Sequence, residues 1–105
     1  MPRPHKYHAQ KCEIDGFKFP SLAQGRRYKE LKLLLLVGEI TDLELEPRYP
    51  LTVDGMKVGT YVGDFRYSVP GKGRVLEDVK GVLTAVYRLK KKLVKAIYHI
   101  DILET

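Results

Sequence analysis

The sequence carries one cysteine in 105 residues, Cys12, which excludes an internal disulfide and any cysteine-built zinc cage. So thiol-poor a chain fits a reducing cytoplasm. Long apolar runs are also missing. The longest, Leu33 to Val37, is flanked by Lys32 and by Gly38-Glu39, far short of the ~20 residues a membrane span requires. The N-terminus, Met1-Pro-Arg-Pro-His-Lys, is basic, but no apolar segment follows it, so a secretory signal is not expected. Internal repeats, low-complexity tracts and linker-like stretches are absent as well. The expectation is one domain over residues 1–105, with residues 1–19 as a basic, irregular lead-in.

Charge is what the chain has in quantity. Nineteen Lys and Arg stand against thirteen Asp and Glu, a net of +6, with 44% hydrophobic residues. That balance belongs to a folded chain rather than a disordered one. The distribution says more than the sum. Residues 1–38 hold eight basic and three acidic side chains, residues 39–79 five and eight, and residues 80–105 six and two. Two basic flanks bracket an acidic middle. Basic flanks suit a polyanion such as nucleic acid, because neutralised phosphates release counterions. An acidic centre in such a chain suggests carboxylates kept for a task such as holding a metal.

Pro20-Ser21 reads as a helix start, with Ser21 as N-cap and Gln24 three residues on completing a capping-box pattern. The helix runs to Val37, with Gly38 as the residue just past its end. Tyr28, Leu31, Leu34 and Leu35 form its buried stripe. Ile40–Leu45 alternates as a strand that Pro47 ends. Tyr49–Val53 and Met56–Val62 flank Asp54-Gly55, a hairpin signal. Asp64–Val69 and Arg74–Val79 form another strand pair around Pro70-Gly71-Lys72-Gly73. Residues 84–98 are helical, with Val86, Leu89, Leu93 and Ile97 expected as the apolar face, and His99–Leu103 closes the chain as a short strand.

The unusual segment is Val75-Leu76-Glu77-Asp78-Val79-Lys80-Gly81. Asp78 and Lys80 lie two apart on a strand and so emerge on one face, while Glu77 points the other way. Asp64 opens the preceding strand. If the two strands are neighbours, Asp64 approaches Asp78, and two converging carboxylates suit a hard cation such as Mg²⁺. A lysine beside them orients an attacking water and offsets charge on a phosphate. Arg88, Lys92 and Lys95 recur at helical spacing, widened by Lys90 and Lys91, and with Arg26 and Arg27 on the first helix they are candidate phosphate contacts. Tyr7, Tyr49, Tyr61, Tyr67, Tyr87 and Tyr98 are too dispersed for a base-stacking platform, and most of them read as core or boundary residues. His5 and His8 sit in the lead-in, His99 reads as structural, and Cys12 has no partner that would activate it.

This arrangement resembles the PD-(D/E)XK nuclease superfamily and, more closely, a family of small phage and prophage proteins of unassigned function. The resembling stretches are Phe19-Pro-Ser-Leu-Ala-Gln-Gly-Arg-Arg-Tyr-Lys-Glu-Leu-Lys-Leu-Leu, Glu39-Ile-Thr-Asp-Leu-Glu-Leu-Glu-Pro-Arg, Tyr61-Val-Gly-Asp-Phe-Arg-Tyr, and Glu77-Asp-Val-Lys-Gly with Thr84. The resemblance implies an α/β, restriction-endonuclease-like αβββαβ core with a mixed central sheet flanked by helices. It further implies Asp64 and Asp78 as metal ligands for Mg²⁺ or Mn²⁺, Lys80 as the catalytic lysine, and DNA as substrate. Such nucleases commonly add a Glu from the leading helix. That position is Gln24 here, which removes one negative charge. Glu30 is a poor substitute, pointing ~120° away on the helix. The activity expected is a metal-dependent DNA endonuclease, acting as a homodimer in the host cytoplasm. The alternatives are an inactive nucleic-acid-binding module of the same fold and a phage assembly adaptor.

Overall fold

The computed structural model describes residues 10–80 and 83–105; Tyr7, His5, His8 and Gly81 lie outside them. The elements are β1 (Cys12–Ile14), β2 (Phe17–Phe19), α1 (Leu22–Leu36), β3 (Thr41–Leu45), β4 (Arg48–Val53), β5 (Met56–Val62), β6 (Phe65–Val69), β7 (Gly73–Asp78), α2 (Ala85–Tyr98) and β8 (Ile102–Glu104). The result is a small mixed α/β domain. Part of the expected irregular lead-in is instead a hairpin: Asp15 and Gly16 both take positive φ, 54° and 81°, the two-residue turn whose twist matches paired strands, and Ile14 lies opposite Phe17.

Helix α1 begins and ends as its sequence directs. The Ser21 hydroxyl accepts the Gln24 backbone N–H at 3.1 Å. At the other end Gly38, at φ 81°, lets its own N–H reach Leu35 O and that of Glu39 reach Leu34 O at 2.9 Å, the paired bonds of a Schellman motif. Tyr28 and Leu31 are buried, as the periodicity indicates. Gly25 serves close packing rather than flexibility. A Cβ there would stand 2.5 Å from Cys12 Sγ, so β1 lies directly on the helix backbone.

Four strands form the central sheet in the order β3-β6-β7-β8. The first three are antiparallel, and β8 runs parallel to β7, with Leu76 beside Ile102 and Asp78 beside Glu104. Strands β4 and β5 form a separate hairpin around Asp54-Gly55. An isolated hairpin is marginal; this one is covered by α2, since Tyr49, Leu51 and Tyr61 share a core with Leu76, Tyr87, Val94 and Ile102. A second core, of Phe19, Tyr28, Leu31, Ile40, Phe65 and Tyr67, lies under α1.

Two sequence expectations give way. Of the four residues expected on the apolar face of α2, Leu93 and Ile97 pack against the core, but Val86 and Leu89 are exposed, at 63% and 58%, and the buried positions are Tyr87 and Val94. Tyrosines win that contest because their rings bury large apolar area while their hydroxyls find partners, here Glu104 and the Pro50 carbonyl. The last strand starts later than His99, which caps α2 in the left-handed conformation, φ 60°. No helix among the described residues is long and apolar enough to cross a membrane.

Candidate active site

Register brings the site together. Phe65 pairs with Glu77 in the antiparallel β6–β7 ladder, so Asp64, one residue before β6, stands opposite Asp78, one residue on. Its backbone N–H closes that end of the ladder on Glu77 O at 3.1 Å. Alternation does the rest. Leu76 and Asp78 face α2 and the β4–β5 hairpin, while Val75 and Glu77 face α1. Asp64, Asp78 and Lys80, expected from sequence to converge, line one cleft of about 590 Å³. The first turn of α1 contributes Ser21 and Gln24 to its wall, the end of β5 contributes Thr60 and Tyr61, and α2 contributes Tyr87 and Lys90.

Ser21, Gln24, Tyr61, Asp64, Asp78 and Lys80 are each held by a neighbour in this cleft. Lys80 Nζ lies 2.9 Å from Asp78 Oδ1 and 3.6 Å from the centre of the Tyr87 ring, within the range where a ring face attracts an ammonium. Tyr61 donates its hydroxyl to Asp78 Oδ2 at 2.5 Å. Asp64 accepts the Val79 backbone N–H at 2.7 Å and the Gln24 side-chain amide N–H. Gln24 Oε1 in turn accepts the Ser21 hydroxyl at 3.2 Å. Gln24 therefore joins the helix cap to the site.

Burial pushes the Asp64 carboxyl up to about 7, and the neighbouring Asp78 adds to the shift; the donors Val79 N–H and Gln24 pull against it. Two carboxylates held this close in a partly dry cleft favour a proton or a cation between them. Burial and Asp78 likewise raise the Tyr61 hydroxyl, so it remains a donor at neutral pH.

Among the described residues no group of three or more His, Cys, Asp or Glu converges. The two carboxylates that could hold a cation are Asp64 and Asp78, few enough to suit only an ion that keeps several waters, as Mg²⁺ does; Gln24 turns its amide N–H toward Asp64 and its oxygen toward Ser21.

On the opposite face of β7, Glu77 is fully buried, and Arg27 reaches it through Nε at 2.6 Å and Nη2 at 3.0 Å. Tyr67 and Thr105 donate to it as well. Glu77 holds the Arg27 guanidinium above its ordinary value, and burial together with Glu77 pushes the Tyr67 hydroxyl up to about 12. Arg27, a candidate phosphate contact from sequence, is thus turned onto Glu77 and ties α1 to β7.

The remaining basic candidates divide. Arg26 is exposed on α1. Lys90 lines the cleft and donates to Thr60 O at 3.0 Å. Arg88, Lys91, Lys92 and Lys95 lie on the other flank of α2, where Lys91 pairs with Glu104 and Lys95 with Asp101.

Sequence reasoning missed Tyr61 and Tyr87. Both are core residues, as the sequence suggests, but nothing in their spacing announces that β5 and α2 close over β7 and bring them to the site. Comparison with known proteins adds one match: the sequence pattern described as protein of unknown function (DUF1064) covers residues 4–103. No curated protein and no solved structure matches the chain.

Proposed function

From a chain that belongs to the DUF1064 family and has this cleft, we propose a phage-type metal-dependent DNA endonuclease that hydrolyses phosphodiester bonds, on branched or recombination and repair DNA. The observation that carries the reading is the opposition of Asp64 and Asp78 across β6–β7 with Lys80 on Asp78. The order α1, β3, β6, β7, α2, β8, with β8 parallel to β7, supports a restriction-endonuclease-like core.

Asp64 and Asp78 would hold Mg²⁺ or Mn²⁺, which when bound lowers the pKa of a water and draws charge from a phosphoryl oxygen. Tyr61 fixes the rotamer of Asp78, while Val79 N–H and Gln24 fix that of Asp64, so both carboxylates are preorganised. Lys80 is steadied by Asp78 and the Tyr87 ring. It orients the attacking water oxygen toward phosphorus and offsets the negative charge that builds as the bond to the departing sugar oxygen breaks. Lys90, at the cleft wall, meets a flanking phosphate. Arg26, exposed on α1, adds sequence-independent attraction. Two copies acting as a homodimer would present two such sites.

The test is cleavage of single-stranded, duplex, flapped and four-way-junction DNA with Mg²⁺, Mn²⁺ or EDTA. Metal-dependent cutting that Asp78→Ala and Lys80→Ala both abolish is expected. No cutting of any substrate by folded wild type would overturn the reading.

One observation favours a second reading, a non-catalytic nucleic-acid-binding module. Lys80 already gives Asp78 a counter-charge, and Gln24 offers Asp64 an amide donor where a third carboxylate would strengthen metal binding, so each carboxylate has a protein partner without a cation. DNA affinity indifferent to Mg²⁺ and EDTA, without cleavage, would identify it.

A further inference from the structure

The far flank of α2 borders a groove that the proposed chemistry does not use. We propose that this groove, between α2 and β8, docks an acidic peptide segment carrying an apolar anchor. The groove is about 580 Å³, within the range of sites that enclose a ligand. Its floor is aliphatic: Leu83, Ala96, Ile100 and Ile102 line it. Leu83 is 45% exposed, so apolar surface is open to a partner.

The rim is cationic. At about 100° per residue, Arg88, Lys91, Lys92 and Lys95 fall within one sector of the helix, while Lys90 lies roughly 150° away and serves the cleft. Two acids, Asp101 and Glu104, also stand at the groove. Lys95 and Lys91 answer them at 3.0 and 2.8 Å, so their charge is already met within the fold. Arg88 and Lys92 form no salt bridge among the described residues, and both are exposed.

Unpaired cations above an aliphatic floor select the occupant. A nucleic-acid backbone is recognised by cations and N–H donors, and an aliphatic floor gives it nothing. Stacked bases need an aromatic face, and the one aromatic at this groove, Tyr87, is 92% covered, its exposure being 8%. An acidic peptide with Leu-like side chains uses both halves of the groove: carboxylates on Arg88 and Lys92, an anchor on the floor. Of the residues lining the groove only Tyr87 also lines the cleft, so a docked peptide leaves Asp64, Asp78 and Lys80 accessible. The proposal stands whether or not the cleft hydrolyses DNA.

Fluorescence anisotropy with a short labelled peptide, acidic in one half and ending in two leucines, tests it on the full chain. Expected is binding in roughly the micromolar range, weakened about tenfold or more by the double variant Arg88→Glu/Lys92→Glu, which places like charge opposite the peptide. Ala96→Trp, at an exposed helix position, fills the floor and abolishes binding while the circular dichroism spectrum and melting temperature hold. A labelled oligothymidine serves as the rival probe. Binding that survives replacement of both leucines by serine would overturn the proposal, as would no binding up to roughly millimolar peptide. Oligothymidine affinity that the double charge reversal removes, with none for the peptide, would make the groove a nucleic-acid surface.

Discussion

Replacing Asp64 by Asn should stabilise the metal-free protein at alkaline pH. The carboxyl titrates near 7 in the folded chain, raised first by burial and then by Asp78, against ~3.9 in an unfolded chain. Between those values the folded protein holds a proton that the unfolded chain has lost. The contribution to stability is therefore complete below ~4 and is lost as pH rises through about 7. At ~1.4 kcal/mol per pKa unit, the full linkage is on the order of 4 kcal/mol.

Asn is isosteric with the protonated acid and carries no charge to desolvate. Its oxygen still accepts the Val79 N–H. Its amide N–H faces the Gln24 amide, which must turn end for end and give up the Ser21 hydroxyl, a loss of about 1 kcal/mol. The expected net gain at pH 8 is on the order of 2–3 kcal/mol, or roughly ten degrees or more in melting temperature for a chain of this size. Thermal unfolding in EDTA at pH 5 and pH 8, followed by circular dichroism, measures it. The variant should lead clearly at pH 8, and the gap should close or reverse at pH 5. A wild type with equal stability at both values, or an Asp64→Asn protein less stable at pH 8, would refute the carboxylate-pair argument.

Other substitutions probe the supports of the site. Arg27→Ala leaves Glu77 fully buried with only neutral donors, Tyr67 and Thr105, and should cost roughly 3 kcal/mol in urea unfolding. Leu31→Ala removes a side chain with no solvent exposure from the α1 core and should cost about 2–5 kcal/mol by the same measurement. Gln24→Glu adds a third carboxylate beside Asp64. It should destabilise the metal-free protein at pH 8 and tighten Mn²⁺ binding roughly tenfold in a calorimetric titration.

The parts of this fold that local rules control were legible in the sequence. Ser21, Gln24 and Gly38 marked α1 because caps act within a few residues, and Asp54-Gly55 marked its hairpin because the turn demands positive φ. The convergence of Asp64 and Asp78 followed from strand alternation once β6 and β7 paired as neighbours. What was not legible depends on packing between distant elements. Which apolar residues of α2 are buried depends on the elements packed against it: Tyr87 and Val94 join Tyr49, Tyr61 and Ile102 in one core, while Val86 and Leu89 stay exposed. Arg27 reads as one more surface cation until β7 delivers Glu77 beneath it. Tyr61 reaches Asp78 from a hairpin outside the central sheet. No periodicity encodes that approach.

The proposed function requires Asp64 and Asp78 to bind a cation that displaces the proton of Asp64, whose carboxyl burial raises to about 7. Calorimetric titration of the metal-free protein with Mn²⁺, in buffers of differing ionisation enthalpy at pH 6 and pH 8, tests this directly. Expected is one ion bound per chain, with close to one proton released at pH 6, fewer at pH 8, and no binding to the Asp64→Asn/Asp78→Asn protein. Undetectable binding by wild type, or equal binding by the double variant, would contradict it.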